Sequence, residues 1–238
     1  GMGGLLRAVS AAVALCAIGG SALAGSLTVS PILIDNPAPK ATSTVTLESG
    51  GSEQLAAQVR IFKWTIVNGK DRLVPTKEVV ASPPAVKVKP NGKAVVRIVR
   101  RSKTPAANEE SYRLIVSEIP TAPKAKKGVS IAFQYSIPAF FTPPDAKPAV
   151  TWSVATTGGG VVVTAMNSGN RRLRLANMKL KKGSKAYEFG GSLSGYILAG
   201  TTRTWIVKGA AKGVKNGSTV QILAEGDIGD VNTTAVVG

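Results

Sequence analysis

Few side chains in this chain are equipped for acid–base or nucleophilic chemistry. There is no histidine, and the single cysteine, Cys16, sits in an apolar N-terminal run. The commonest proton shuttle and the most reactive thiol nucleophile are therefore absent from the rest of the chain. No glycine-rich loop opens a helix to hold phosphate, and no carboxylates stand at metal-ligand spacing. Glu109 and Glu110 fall in a turn, where they read as solvated or as caps on strand ends. Asp227 and Asp230 flank Gly229 as in a loose calcium loop, but the remaining ligands are missing. No enzyme activity, cofactor or metal is expected. The chemistry on offer is that of binding. Val129, Ile131, Phe133, Tyr135 and Ile137 alternate with Ser130, Ala132, Gln134 and Ser136. A period of two puts the large apolar side chains on one face of one strand.

The elements around that strand follow from composition. Glu109–Pro120 is rich in β-branched and aromatic residues and closes at Pro120, so it reads as the preceding strand. A connection as short as Thr121 to Gly128 predicts an antiparallel pair. The apolar face of the second strand must be covered. Its own second sheet would do so, and so would a partner chain received along the strand by β-addition.

The first residues stand apart from the fold. Gly1 precedes Met2 as a leftover of expression, Arg7 supplies a positive charge, and Ala8 to Ile18 is too short to cross a bilayer. Ala22-Leu23-Ala24 is a small-x-small cleavage signal, so residues 1–24 are read as a secretory signal peptide. A lipoprotein signal at Cys16 is disfavoured by the bulky Leu15. Cleavage removes the only cysteine, so the mature fold rests on packing without disulfides. The full chain carries 30 Lys and Arg against 13 Asp and Glu, a formal +17; loss of Arg7 leaves +16. Such charge suits acidic partners. Export and the lack of any nucleic-acid motif argue against nucleic acid, and scattered Lys on strands also protects exposed edges.

In chain order the remainder reads as strand after strand. Leu27–Ile34 is interrupted by Pro31, which confines it to an edge or forces a switch or bulge. Thr42–Ser49 alternates. Gln54–Val67 places Val59 and Ile61 on one face and Phe62 and Trp64 on the other, and Asn68-Gly69 is a hairpin signal. Ala85–Pro90 turns at Asn91-Gly92 into Lys93–Arg101. With no helical period anywhere, these spacings predict a β-sandwich over 25–143. Thr142–Pro148 reads as a stiff elbow, with the linker proper at 144–148, and 149–238 as a second, smaller sandwich. The expected architecture is all-β: two immunoglobulin-like sandwich domains, with the cleft between them as the natural site.

Several of these stretches carry a family resemblance. SPP (Ser82–Pro84), VRI (Val96–Ile98), SYRLIVSEIP (Ser111–Pro120) and SIPAFF (Ser136–Phe141) occur in order. RIFKW (Arg60–Trp64) precedes them, and WSV (Trp152–Val154) and GYIL (Gly195–Leu198) follow. Together they resemble the periplasmic, PapD-like pilus-assembly chaperones of the chaperone–usher pathway. RIFKW and SYRLIV look most like its archaic branch, associated with spore-coat-protein-U domains. The resemblance implies a boomerang of two immunoglobulin-like domains. It implies that the chain lends a strand to an incomplete pilin subunit in the periplasm and delivers it to an outer-membrane usher. On that footing Val129, Ile131, Phe133, Tyr135 and Ile137 form the donor strand; neither membrane insertion nor a cofactor is implied. The exposed strand could also be hidden by self-association.

One departure from the family pattern concerns the anchor for the subunit's C-terminal carboxylate. Many members use an Arg on the first strand and a Lys late in the donor strand; here those places hold Pro31, or a neighbour, and Pro138. Pairing Pro120 with Gly128 would put Arg113 near Tyr135, and its planar fork suits a carboxylate. Arg113 is thus the candidate anchor, unless it pairs within the sheet with Glu110 or Glu118. A competing reading is a secreted two-domain adhesive or structural protein without chaperone activity. It would bury the Val129–Ile137 face in its own sandwich. A third is a cationic binder of anionic envelope polymer.

Overall fold

A computed structural model describes residues 27–120, 132–191 and 195–238. The signal-peptide reading at 1–24, and Val129 and Ile131 of the candidate donor strand, lie outside the described residues. Within them every regular element is a β-strand. The N-terminal part comprises β1 (Leu27–Ser30), β2 (Ile34–Pro37), β3 (Thr42–Ser49), β4 (Leu55–Val67), β5 (Lys70–Pro75), β6 (Val79–Ser82), β7 (Ala85–Val88), β8 (Lys93–Arg100), β9 (Glu110–Glu118) and β10 (Gln134–Thr142). One sheet has the order β1-β3-β8-β6; the other runs β2-β10-β9-β4-β5 with β7 beside β4.

The segment around Pro31 serves both sheets. β1 pairs antiparallel with β3; the chain then crosses at 31–33, and β2 runs parallel to β10. Proline cannot donate to the β1 ladder, so the break falls where pairing would otherwise continue. Alternation then fills the space between the sheets. Val29, Val45, Leu47, Val96 and Ile98 meet Val59, Tyr112, Leu114, Val116, Ala139 and Phe141 in one core.

The C-terminal part repeats the plan with β11 (Val150–Thr157), β12 (Gly160–Asn167), β13 (Leu173–Lys182), β14 (Lys185–Glu188), β15 (Tyr196–Ile197), β16 (Thr202–Val207), β17 (Thr219–Gly226) and β18 (Val231–Val236). Sheets β11-β12-β16 and β14-β13-β17-β18, the latter with β15 beside β13, enclose Val161, Val163, Leu180, Trp205 and Ile222. Two immunoglobulin-like sandwiches result, as the strand spacing leads one to expect.

A third cluster joins them: Trp64, Ile66 and Phe140 from the first sandwich with Tyr196 and Leu198 from the second. Its origin is the two-faced character of β4 and β10. Odd-numbered Val59, Ile137, Ala139 and Phe141 enter their own core, whereas even-numbered Trp64, Ile66 and Phe140 turn to the outer face, where the second sandwich covers them. The β4–β5 hairpin also reaches this junction. Asn68 and Gly69 both have positive φ (52° and 77°), as a tight hairpin turn requires. A Cβ on Gly69 would lie 2.3 Å from the Thr204 hydroxyl, so the close approach of the two sandwiches needs glycine there as well.

The β9–β10 hairpin differs from the expected one. β9 ends at Glu118 and β10 begins at Gln134, so the connection is longer than the span from Pro120 to Gly128. The register shifts with it: Arg113 lies opposite Pro138, and Tyr135 lies opposite Val116.

Candidate functional site

The strand edge that could accept a partner is on β10. Its pairing with β9 runs from Gln134 to Phe141, but its pairing with β2 covers only Ala139 to Thr142. Over Gln134–Pro138 no described strand occupies the second side. Hydrogen bonding fixes which backbone groups are exposed. The Glu118 amide donates to the Phe133 carbonyl at 2.9 Å, so odd-numbered residues exchange bonds with β9. The Ala38 amide donates to the Thr142 carbonyl at 2.8 Å on the opposite side, so even-numbered residues point away from β9. The open side therefore presents the amides and carbonyls of Gln134 and Ser136, while the Pro138 carbonyl is taken up where pairing with β2 begins. Pro138 is tolerated because its missing N–H belongs to that side. The crossover at 31–33 flanks the foot of this edge and carries Ile32, 80% exposed.

The apolar side chains of β10 are distributed unevenly. Ile137 is a core residue of its own sandwich, only 3% exposed. Phe133 and Tyr135 pack half-buried against the same core, and the Tyr135 hydroxyl donates to the Leu27 carbonyl across the gap between the sheets. In the described part of the strand, backbone is what faces outward; the large side chains lean inward.

The basic residue expected near Tyr135 stands instead at the junction. Arg113 lies on the outer face between Phe62 and Pro138, its guanidinium 3.9 Å from the Trp64 ring centre and 5.8 Å from that of Tyr196. No ion pair or hydrogen bond engages it among the described residues. The in-sheet alternative does not hold: Glu110 is gripped by Arg100 at 2.9 Å, and Glu118 receives the Phe133 amide at 3.3 Å. Burial lowers the Arg113 pKa, opposed by the field of Tyr196 and Asp71. A guanidinium remains charged under such a shift, so Arg113 is a half-buried cation on an aromatic wall with its donors free.

Its neighbours complete the electrostatics. Asp71 accepts from Arg203 at 2.6 Å and from the Trp64 indole N–H at 2.9 Å, and the Arg203 Nε donates to the Tyr196 carbonyl at 2.7 Å. Burial pushes the Asp71 carboxyl up, but the Arg203 and Trp64 hydrogen bonds outweigh it and leave the pKa lowered. Arg203 is thus neutralised by Asp71, whereas Arg113 has no direct acceptor among the described residues.

Of the two sequence readings of Glu109, solvated residue or cap on a strand end, burial rules out the first. Its carboxylate is fully buried and takes Arg172 from the second sandwich at 2.6 Å, with Arg172 3.8 Å over the Phe140 ring. The Arg172 amide and the Thr142 hydroxyl also donate to it. Asp227 is held by Arg171 and the Arg174 amide, and Asp230 accepts from the Gly226 amide. Among the described residues no group of three acidic, Cys or His side chains could hold a metal. Trp64, Tyr196, Asp71, Arg203 and Arg172 were not singled out as site residues by sequence reasoning. Only the even-numbered apolar positions of β4 hinted that a second surface would be covered.

The site thus comprises two immunoglobulin-like sandwiches, a β10 edge unpaired on one side among the described residues, and a cation at their junction. Comparison with known proteins gives the class. The sequence profile of the pili and flagellar-assembly chaperone, PapD N-terminal domain, matches residues 26–147, and the chain belongs to that family. Among solved structures it is similar to the CsuC–CsuE chaperone–tip adhesion subunit pre-assembly complex from archaic chaperone–usher Csu pili of Acinetobacter baumannii. That likeness has 25% identity and a TM-score of 0.68, covering 90% of this chain and 99% of the other. The fold is also similar to the YadV chaperone (17% identity, TM-score 0.62, 88% and 98% covered) and the Pseudomonas aeruginosa CupB2 chaperone (18%, 0.58, 89% and 100%). No curated protein sequence matches the chain.

Proposed function

We propose that this chain is a periplasmic chaperone that binds pilin subunits by donating β10 and passes them to an outer-membrane usher. The observation that carries the reading is the open backbone edge at Gln134–Pro138 within a family of pilus-assembly chaperones. A subunit lacking one strand would pair with that edge, satisfying the free amides and carbonyls while its apolar groove takes side chains from the donor strand. Val129, Ile131 and Phe133 are the side chains proposed to enter the groove. Tyr135 closes the sandwich beside them, and Ile137 roots the strand in its own core. Arg113 is proposed to hold the subunit's C-terminal carboxylate in place of the missing anchor pair: its position opposite Pro138 and its free donors support that role.

A second reading has support in the inward lean of Phe133, Tyr135 and Ile137: a two-domain binding protein whose β10 belongs wholly to its own core. Co-expression in the periplasm with candidate pilin subunits, followed by pull-down, separates the two. A one-to-one complex lost in the Ile131→Asp, Phe133→Asp double variant, with the variant's own fold intact, supports chaperoning. Unfolding of that variant by itself supports the second reading.

A further inference from the structure

The second sandwich is charged unevenly along its length. β11 starts at the linker, β13 at the junction and β16 beside the β4–β5 hairpin, so all three end at the far tip. β13 is 10 residues long, which carries its end roughly 30 Å from the junction. The arginines of this sandwich stay at the junction end: Arg171 pairs with Asp227, Arg172 with Glu109 and Arg203 with Asp71, and Arg174 lies 5.4 Å from the Tyr196 ring centre. The tip carries lysine alone. Lys181, Lys182 and Lys185 stand on the β13–β14 hairpin, and Lys208, Lys212 and Lys215 on the connection from β16 to β17. No ion pair engages any of them among the described residues. From residue 146 to 224 the only acidic residue is Glu188, which lies opposite Lys179, back from the hairpin turn.

The arrangement is costly to the protein by itself. Lys182 lies directly opposite Lys185 across the hairpin, and like charges so placed repel. The remaining lysines cannot disperse, because the connection that carries them is pinned. Ala210 and Val214 are buried in the core, and the Ala210 carbonyl accepts from the Gly213 and Val214 amides at 3.1 and 3.0 Å. The Gly217 amide donates to the Val237 carbonyl at 2.7 Å. A side chain on Gly213 would collide with the Tyr187 hydroxyl, so this connection lies tight against the β13–β14 hairpin. The result is a preformed, concentrated positive field at one end of the molecule. Ile206 and Val236, each 67% exposed, stand beside it near the ends of β16 and β18.

Residue type selects among anionic partners. A discrete phosphate or nucleic-acid site calls for arginine forks and exposed aromatic rings on which bases stack. The tip has no arginine, and its Tyr187 is half-buried with Lys185 5.8 Å over the ring. Lysine charges on long apolar stems, with exposed aliphatic side chains beside them, suit a plane of anionic headgroups met at many points at once. We infer that the far tip of the second sandwich docks on an anionic phospholipid surface, its lysines among the phosphates. Docked by this end, the protein keeps Arg113 and the β10 edge clear of the bilayer. The surface is separate from the donor strand, so its failure would leave the chaperone reading untouched.

Sedimentation of the full chain with vesicles of phosphatidylglycerol and phosphatidylcholine in equal parts, against phosphatidylcholine alone, tests this. The tip variant changes Lys182, Lys185, Lys208 and Lys212 to Gln. The control variant changes Lys77, Lys87, Lys89 and Lys103, exposed on the first sandwich, to Gln and loses the same charge. Any pull of the N-terminal apolar run is common to all three proteins. Wild type should bind the anionic vesicles at least tenfold more tightly than the neutral ones. The tip variant should lose at least tenfold and the control less than threefold, and the tip variant should melt no lower than wild type, since it removes repulsion. Equal losses in the two variants would mean that net charge acts without a site, and overturn the inference. Tip-dependent retention on heparin without binding to anionic vesicles would make the partner a soluble polyanion, and overturn it too.

Discussion

At the scale of single residues, the junction is governed by which charges find partners. Arg113 keeps free donors over Trp64, whereas Arg203 beside it is occupied by Asp71. Replacing Arg113 by Ala should leave the thermal melt close to wild type and abolish stable subunit complexes; an unchanged complex yield in pull-down would remove it as anchor. Glu109 behaves differently. Removing the carboxylate buried with Arg172 leaves that buried cation only the half-exposed Asp35, at 3.6 Å, and Glu109→Ala should cost about 3 kcal/mol in urea unfolding. A loss under about 1 kcal/mol would mean the pair contributes little. Asp71 gives a pH dependence. Its folded pKa is held below the unfolded value, so its stabilisation is complete above the ordinary carboxylate range and fades as pH drops through the folded value. The melting temperature should fall on acidification below roughly pH 4, and Asp71→Asn should flatten part of that limb. The type of Arg113 was legible in sequence; whether Glu110 or Glu118 would engage it, and which residues surround it, were not. Arg113 meets Trp64 on another strand and Tyr196 in another sandwich, and contacts so distant along the chain leave no local pattern.

At the scale of elements, β10 is divided by its pairing along its length. Its second half is paired on both sides, by β9 and β2, while its first half has β9 alone among the described residues. The division arises because Pro31 ends β1 and the crossover delays β2 until Ile34 meets Ala139. Ser136→Pro tests it. The Ser136 amide points to the open side, so proline there, as at Pro138, removes no bond to β9. The variant should fold with a melting temperature within a few degrees of wild type and lose subunit binding at least tenfold. Retained binding would mean that this edge is not where the subunit pairs. The alternation of β10 and a break at Pro31 could be read from residue order, because a period of two and a missing N–H are local facts; that the break is a sheet switch, not an edge or a bulge, could not. The register could not. It depends on where β9 and β10 first pair, and the expected turn at Pro120–Gly128 misplaced Arg113 by three positions.

At the scale of the whole molecule, two sandwiches of separate cores are held together by an aromatic cluster, a buried Glu109–Arg172 pair and the Asp71–Arg203 bridge. All three contacts lie on the outer face of the sheet that carries β10. The junction therefore fixes Arg113 relative to the open edge, so one subunit terminus could engage both. The all-β class and the two-sandwich plan were visible in turn spacing, whereas the apolar outer face of β4 and β10 showed only that something must cover it. Hydrogen–deuterium exchange at the Gln134 and Ser136 amides, in the free chain and after a subunit is added, tests strand donation most directly. Both amides should exchange fast in the free protein and become strongly protected in the complex. Equal exchange in the two states, with a complex demonstrably formed, would contradict pairing at β10.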